Sequence, residues 1–253
     1  MQKLVIGDFA PLTYACDEAV NTLCTNLSFS GDKTKKIIFT SCHASEGKTF
    51  TTMNVMRTLA NLGYAVVLVD ADLRRSVIKE RYGLTGVDKG LSHYLAGRAE
   101  IEDVLYETNI PGAYMIPVGK TVSNALPLLN SARCKELLDY LAGEADYVLV
   151  DAAPVGTVID AAQIAKYCDG TALVIKYNSV TRKELVDVKE QLEQTGCPIL
   201  GTVLVMVEYD NYLNKNYYYK SYYSHYDSYY KNEGEKSGKE HHHHHSTEKK
   251  QTK

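Results

Sequence analysis

Absences narrow this chain before any motif is read. No apolar run among its 253 residues approaches the roughly 18 that cross a bilayer as a helix. Any membrane association is therefore expected through a partner. Neither sign of charge dominates: 28 Lys and Arg stand against 31 Asp and Glu, for a net charge of −3, and nothing global points to nucleic acid. The six cysteines, Cys16, Cys24, Cys42, Cys134, Cys168 and Cys197, include no CxxC pair. With no signal peptide either, they read as reduced cytosolic thiols. No internal repeat is visible.

What is present begins with an ordinary globular composition, 45% hydrophobic. Residues 1–208 suffice for one sizeable core. Strand signals recur at 36–40, 65–69, 113–118, 147–150, 171–175 and 199–207, and are nearly continuous in Val, Ile and Leu. Such runs suit parallel strands buried on both faces. Helices fit between them. One spans 49–62 and stops at Gly63; another spans 131–142 and stops at Gly143. A third spans 181–195, opens with the capping pair Thr181 and Glu184, and stops at Gly196. An extra helix over 14–29 precedes the first core strand. The alternation predicts an α/β fold: a doubly wound, mostly parallel sheet that binds ligands beyond the carboxyl ends of its strands.

Those ends carry the chemistry. Ser41, Cys42, His43, Ala44, Ser45, Glu46, Gly47, Lys48 and Thr49 follow a strand and open a helix. Their Gly-Lys-Thr end is the core of a Walker A phosphate loop, although Cys42 stands where the general pattern has its first glycine. Backbone N–H groups and the helix N-terminus would surround a β-phosphate. Lys48 would reach the β- and γ-phosphates, and the Thr49 hydroxyl would bind Mg²⁺. Nucleotide contacts are expected from Ala44, Ser45, Glu46, Gly47, Lys48, Thr49 and Phe50. The second strand closes on Asp70, Ala71, Asp72, Leu73 and Arg74; the fourth closes on Asp151, Ala152, Ala153 and Pro154. Two carboxylates two residues apart can share one metal-bound phosphate, one holding Mg²⁺ through water and the other accepting a proton. Asp70 is expected in both roles, Asp72 as its alternative for the proton, and Asp151 as a Walker B acid in the Mg²⁺ shell. The competing reading is that strand-end aspartates merely cap the next helix.

The end of the chain is different in kind. Half of the 20 tyrosines fall together: Tyr209, Tyr212, Tyr217, Tyr218, Tyr219, Tyr222, Tyr223, Tyr226, Tyr229 and Tyr230. Even spacing would put about two there. Their neighbours are Asn, Lys, Ser, Asp and His, which offer the rings no aliphatic core. Residues 209–253 are expected to be a flexible tail of accessible phenols with a His- and Lys-rich end. A nucleotide site tethered to a row of phenol hydroxyls suggests phosphoryl transfer onto tyrosine. The division is then a helical segment over 1–30, a nucleotide-binding domain over 31–208, and the tail.

Together the phosphate loop, the D-x-D-x-R strand end, the D-x-x-P strand end and the tyrosine cluster, in that order, resemble the bacterial protein-tyrosine kinases of capsule and exopolysaccharide synthesis, the CpsD/CapB type. The likeness also takes in Gly90, Leu91, Ser92, His93, Tyr94, Leu95, Ala96 and Gly97. It implies autophosphorylation of the tail tyrosines with ATP and Mg²⁺, catalytic roles for Lys48, Asp70 and Asp72, and assembly into a homo-oligomer. It also implies activation by the cytoplasmic segment of a membrane adaptor, which would hold the chain at the inner face of the plasma membrane. The family's N-terminal E-x-x-R-x-x-R pattern is represented by Glu18, Asn21 and Cys24, and Val205 stands where the family often has Asn. Septum-placement and plasmid-partition ATPases share the sheet and the deviant loop. They carry a second loop lysine where this chain has His43, and lack the tyrosine tail. An ATP-driven switch of that kind, or a nucleotide-binding scaffold without kinase activity, is the alternative.

Smaller features have bland and sharp readings. Cys42, near Lys48 and a helix N-terminus, could be an acidified thiol whose oxidation blocks ATP, or an ordinary side chain. His43 reads as loop filler and His93 as a surface or half-buried helix residue. The histidines at 241–245 could bind a transition metal or be a remnant tag.

Overall fold

The computed structural model describes residues 1–7 and 9–207. The ten clustered tyrosines and the histidines at 241–245 lie outside the described residues. In chain order the elements are β1 (Gln2–Lys3), α1 (Tyr14–Ser28), β2 (Lys36–Ser41), α2 (Lys48–Asn61), β3 (Val66–Asp70), α3 (Ile78–Arg81), α4 (Leu91–Leu95), α5 (Ile101–Val104), β4 (Tyr106–Glu107), β5 (Ala113–Ile116), α6 (Leu126–Leu129), α7 (Ala132–Glu144), β6 (Tyr147–Asp151), α8 (Asp160–Ala165), β7 (Gly170–Lys176), α9 (Arg182–Glu193) and β8 (Ile199–Val205).

The strands form one sheet in the order β1-β4-β5-β3-β6-β2-β7-β8, parallel throughout except for the β4–β5 pair. Side-chain alternation along each strand splits the core into two layers. Ile37 and Phe39 of β2, Leu68 of β3 and Leu149 of β6 face α1 and α2, packing with Val20, Cys24, Met53, Met56 and Leu59. Ile38, Val67, Val69, Val148 and Val150 point the other way, onto Leu137, Leu138 and Leu141 of α7 and Ala161 and Ile164 of α8. Burial on both faces is why β3 and β6 read as unbroken apolar runs. The last run departs from that expectation. β8 lies at the sheet edge and alternates between half-buried and exposed residues.

Helix starts follow their capping chemistry. The Thr13 hydroxyl accepts from Cys16 N, the Ser131 hydroxyl from Cys134 N, and Thr181 and Glu184 cap each other reciprocally. Gly63 and Gly196 take φ of 93° and 78° beyond their helices, the left-handed conformation open to glycine. Gly143 does not stop its helix: α7 runs through Glu144. Glycine weakens a helix without ending it when no left-handed turn is required. The exception among the longer helices is α2, which has no side-chain cap and follows Gly47 at φ 85°. Its first N–H groups are left for something else.

Two connections shape the carboxyl edge of the sheet. The N-terminal segment crosses it, held by Gly7 N to Tyr82 O at 2.9 Å and by paired bonds between Ile6 and the Asn109 amide at 2.9 and 3.0 Å. The turn at Gly90 meets the end of β5, with Leu91 N on Pro117 O at 2.8 Å and Ser92 N on Val118 O at 3.0 Å. A Cβ on Gly90 would sit 2.2 Å from Pro117 O and 2.4 Å from Gly119 N, both backbone atoms. Gly90→Ala is therefore expected to cost about 2 kcal/mol or more, by forced backbone movement. Urea unfolding checks this, and an unchanged midpoint would contradict the packing described.

Candidate nucleotide and active site

The phosphate loop is tied from inside and from a neighbouring loop. Ser41 Oγ donates to His43 O at 2.7 Å, and the Glu46 carboxylate accepts from His43 N at 2.8 Å and from Ser179 Oγ at 2.7 Å. Ser45 and Gly47 both take positive φ, 62° and 85°. The turn places the backbone N–H groups of Ser45, Glu46, Gly47, Lys48 and Thr49 where none finds an acceptor among the described residues. Unpaired donors at the positive end of a helix dipole make an anion cradle. Glycine is needed at 47 on two counts. Its φ is left-handed, and a Cβ there would approach Val205 Cγ2 to 3.0 Å.

Beneath the loop lies a buried polar cluster. Asp151 Oδ1 accepts from Lys48 Nζ at 2.9 Å, and Asp151 Oδ2 from Thr49 Oγ1 at 2.8 Å. Lys48 Nζ also lies 3.3 Å from Thr49 Oγ1. Strand register sets Asp70 directly beside Asp151. Asp70 Oδ2 accepts from Ser76 Oγ, while its Oδ1 is buried without a partner. Burial pushes the Asp70 carboxyl up to about 8, and the neighbouring Asp151 charge adds to the rise; the Ser76 hydrogen bond and Lys48 oppose it. Asp72 sits nearer the surface, its Oδ1 accepting the Arg75 N–H at 3.0 Å. Arg74 is held on Asp160 by two bonds, at 2.5 and 3.1 Å, and on Ser123 O at 2.6 Å.

Above these groups opens a cleft of about 1230 Å³. Residues 44–50 and Asp72 line it; Asp70 and Asp151, each 1% exposed, form its floor below the lining surface. The donor set suits a nucleotide with a hard divalent cation. An unpaired N–H row suits phosphate oxygens, Lys48 offers a buried positive charge beside it, and Thr49 Oγ1, Asp151 and the orphaned Asp70 Oδ1 are of the hard-oxygen kind that suits Mg²⁺.

A family model described as an AAA domain matches residues 34–179. The tyrosine-protein kinase CpsD of Streptococcus pneumoniae is 39% identical over 187 residues, covering 74% of this chain and 82% of that protein. The chain belongs to the bacterial CpsD-type tyrosine-protein kinases. Among solved structures, the kinase domain of the Escherichia coli tyrosine kinase ETK superposes with a TM-score of 0.71 at 29% identity, over 78% of this chain and 79% of that one. The septum site-determining protein MinD of Pyrococcus horikoshii OT3, complexed with Mg-ADP, gives 0.59 at 27% identity, over 67% and 69%. The shared P-loop fold accounts for both likenesses. At His43, where the septum-placement ATPases carry their second lysine, this kinase has an imidazole 3.2 Å from the Glu184 carboxylate.

The structure brings Lys48, Thr49, Asp70 and Asp151 into one cluster and sets Asp72 on the cleft above it. The tail acceptors lie outside the described residues. Cys42 corrects the sharper of its two readings. It is fully buried, and burial first, then Glu46 and Glu184, push its thiol up to about 11, so it is no reactive thiolate. His93 is half-buried and structural, its Nδ1 accepting Gly90 N at 3.1 Å. Cys24 of the N-terminal pattern faces inward: it is buried, and its Sγ lies 3.9 Å from Val55 O of α2. Sequence reading passed over Phe9, Tyr82, Met206 and residues 121–123, which complete the cleft wall. Loops converging from distant positions leave no local pattern; only homologous sequences side by side could have marked them.

The Asp70 environment predicts a pH effect. Its folded pKa of about 8 exceeds the unfolded value of about 3.9, so between those values the folded chain holds a proton the unfolded chain has lost. Stability from this group therefore falls as pH rises from about 4 to about 8. In nucleotide-free buffer with EDTA, Asp70→Asn is expected to raise the urea midpoint at pH 8 and to change it little at pH 4. Equal gains at both values would rule out the buried carboxyl as the source.

Proposed function

We propose that the chain is an ATP-dependent protein-tyrosine autokinase that regulates capsular or exopolysaccharide synthesis. The observation that carries this reading is the convergence of Lys48, Thr49 and Asp151 beside Asp70, under an uncapped helix start. Phosphoryl transfer needs positioning and charge neutralisation more than covalent chemistry, so this small set suffices.

Lys48 leaves Asp151 to contact the β- and γ-phosphates, and the N–H row from Ser45 to Thr49 orients them. Thr49, Asp151 and Asp70 would hold Mg²⁺, which when bound would supply charge neutralisation to the phosphate oxygens. We assign the phenol proton to Asp72, which lines the cleft, instead of the expected Asp70, which is buried beneath it. A free phenol has a pKa of about 10, so its proton leaves late, as the tyrosine oxygen–phosphorus bond forms and the β–γ bridge breaks to release ADP. The acceptors are Tyr209, Tyr212, Tyr217, Tyr218, Tyr219, Tyr222, Tyr223, Tyr226, Tyr229 and Tyr230, presented to a second copy of the chain in a homo-oligomer. No helix among the described residues is long and apolar enough to cross a membrane. Placement at the inner face of the plasma membrane falls to an adaptor of the chain-length-determinant type, through its cytoplasmic segment.

Lys48→Met is expected to lower tail phosphotyrosine at least about a hundredfold with ATP and adaptor present, the scale of removing one preorganised charge from a transition state. Undiminished labelling by anti-phosphotyrosine blot would overturn the assignment. Mixing Lys48→Met full-length chain with active chain truncated at 208 separates transfer between copies from transfer within one. Labelled full-length chain is expected, and none would exclude transfer between chains.

A further inference from the structure

The cleft carries positive charge that the roles above leave unused. Of the arginines lining it, Arg74 is committed to Asp160 and Ser123. Arg75 and Arg81 line the same cleft, are exposed, and pair their guanidinium groups with nothing among the described residues. Lys48, by contrast, is matched by Asp151, and Glu46 by His43 N and Ser179. Two exposed cations of this cleft thus have no ion-pair partner among the described residues.

Arg75 and Arg81 share the cleft with the acid assigned to the incoming tyrosine. Asp72 accepts the backbone N–H of Arg75 at 3.0 Å, so the Arg75 side chain starts one hydrogen bond from the acid assigned the phenol proton. Arg81 ends α3 and is followed by Tyr82, itself on the cleft wall. An extended peptide advances roughly 3.3–3.6 Å per residue. The backbone of a residue one or two positions from the acceptor tyrosine thus passes within about 7 Å of the acceptor's own, where a long side chain rooted beside Asp72 can meet the charge that the residue carries. Guanidinium binds phosphate bidentately, and better than it binds a single carboxylate oxygen.

We propose that Arg75 and Arg81 form an acceptor-docking site that recognises a phosphotyrosine next to the tyrosine being modified. The inference rests on the kinase reading and names the peptide class that the site prefers. The acceptor sequence supplies such peptides: Tyr217, Tyr218 and Tyr219 are contiguous, as are Tyr222 with Tyr223 and Tyr229 with Tyr230. One phosphate adds about −1.5 to −2 charges beside an unmodified neighbour. Modification within each group is then self-promoting: the first transfer makes the next acceptor a better substrate. Asp210 and Asp227, adjoining Tyr209 and Tyr226, offer weaker negative charge for the opening transfers.

The test uses the full chain and two synthetic peptides of the 214–224 sequence, one unmodified and one carrying phosphate on Tyr218. Fluorescence polarisation gives binding without catalysis; labelling with ATP gives KM and kcat. The wild-type chain is expected to bind the phosphopeptide about tenfold more tightly and to show a KM lower by a similar factor, the scale of one or two charge-assisted hydrogen bonds. The Arg75→Gln/Arg81→Gln variant is expected to lose that preference while keeping its affinity for a fluorescent ATP analogue. Equal binding of both peptides by the wild-type chain overturns the proposal, as does a preference that survives in the variant. Loss of ATP affinity in the variant also overturns it, by assigning the arginines to the nucleotide. Absence of labelling on either peptide counts against the kinase reading alone, and polarisation then decides the docking site by itself.

Discussion

The carboxylate of Asp151 is the point on which the site depends. It is almost wholly buried, and it receives Lys48 from one oxygen and Thr49 from the other. A buried anion of this kind is tolerable only when matched by charge and hydrogen bonds. Both partners stand at the first turn of α2, so the ion pair also fixes where that helix begins relative to β6. Phosphate loop, helix start and strand end are held together by one group. The same pairing keeps the Lys48 ammonium from solvent.

Asp70 shows the other side of that arrangement. Strand register forces a second carboxylate beside the first, and with only Ser76 as its hydrogen-bond partner it is held toward its protonated form. Two adjacent buried acids disfavour their own joint ionisation. A divalent cation held between them would relieve that conflict. Placing both acids at neighbouring strand ends carries an electrostatic cost that a bound divalent cation would offset.

Much of this was legible in the residues. Strands buried on both faces announce themselves as unbroken Val, Ile and Leu runs, and β2, β3, β6 and β7 lie within a residue of where those runs stand. The Gly-Lys-Thr run named the helix start because the phosphate cradle needs those residue types consecutively. Less was legible where signals were short or ambiguous. The two-residue strands β1 and β4 and the four-residue helices α3, α5 and α6 have no period to detect. The run ending in β8 looked like its buried siblings, yet it is an edge strand, because apolar content does not say how many neighbours a strand has. Gly143 looked like a helix stop, but glycine permits a left-handed turn without requiring one. Cys42 had two readings from its neighbours in sequence, an acidified thiol and an ordinary side chain, and burial decided for the ordinary one.

Sequence by itself determined the fold class, the phosphate loop, the acids at the strand ends and the row of tyrosines, since each rests on residues adjacent in the chain and on local backbone preferences. Tertiary structure alone decided that Asp70 and Asp151 share a register position, that Asp72 rather than Asp70 meets the cleft, and that Arg75 and Arg81 line it without a partner among the described residues. Those outcomes depend on strand order, burial and the convergence of loops tens of residues apart. Such long-range terms have no counterpart in any short stretch of chain.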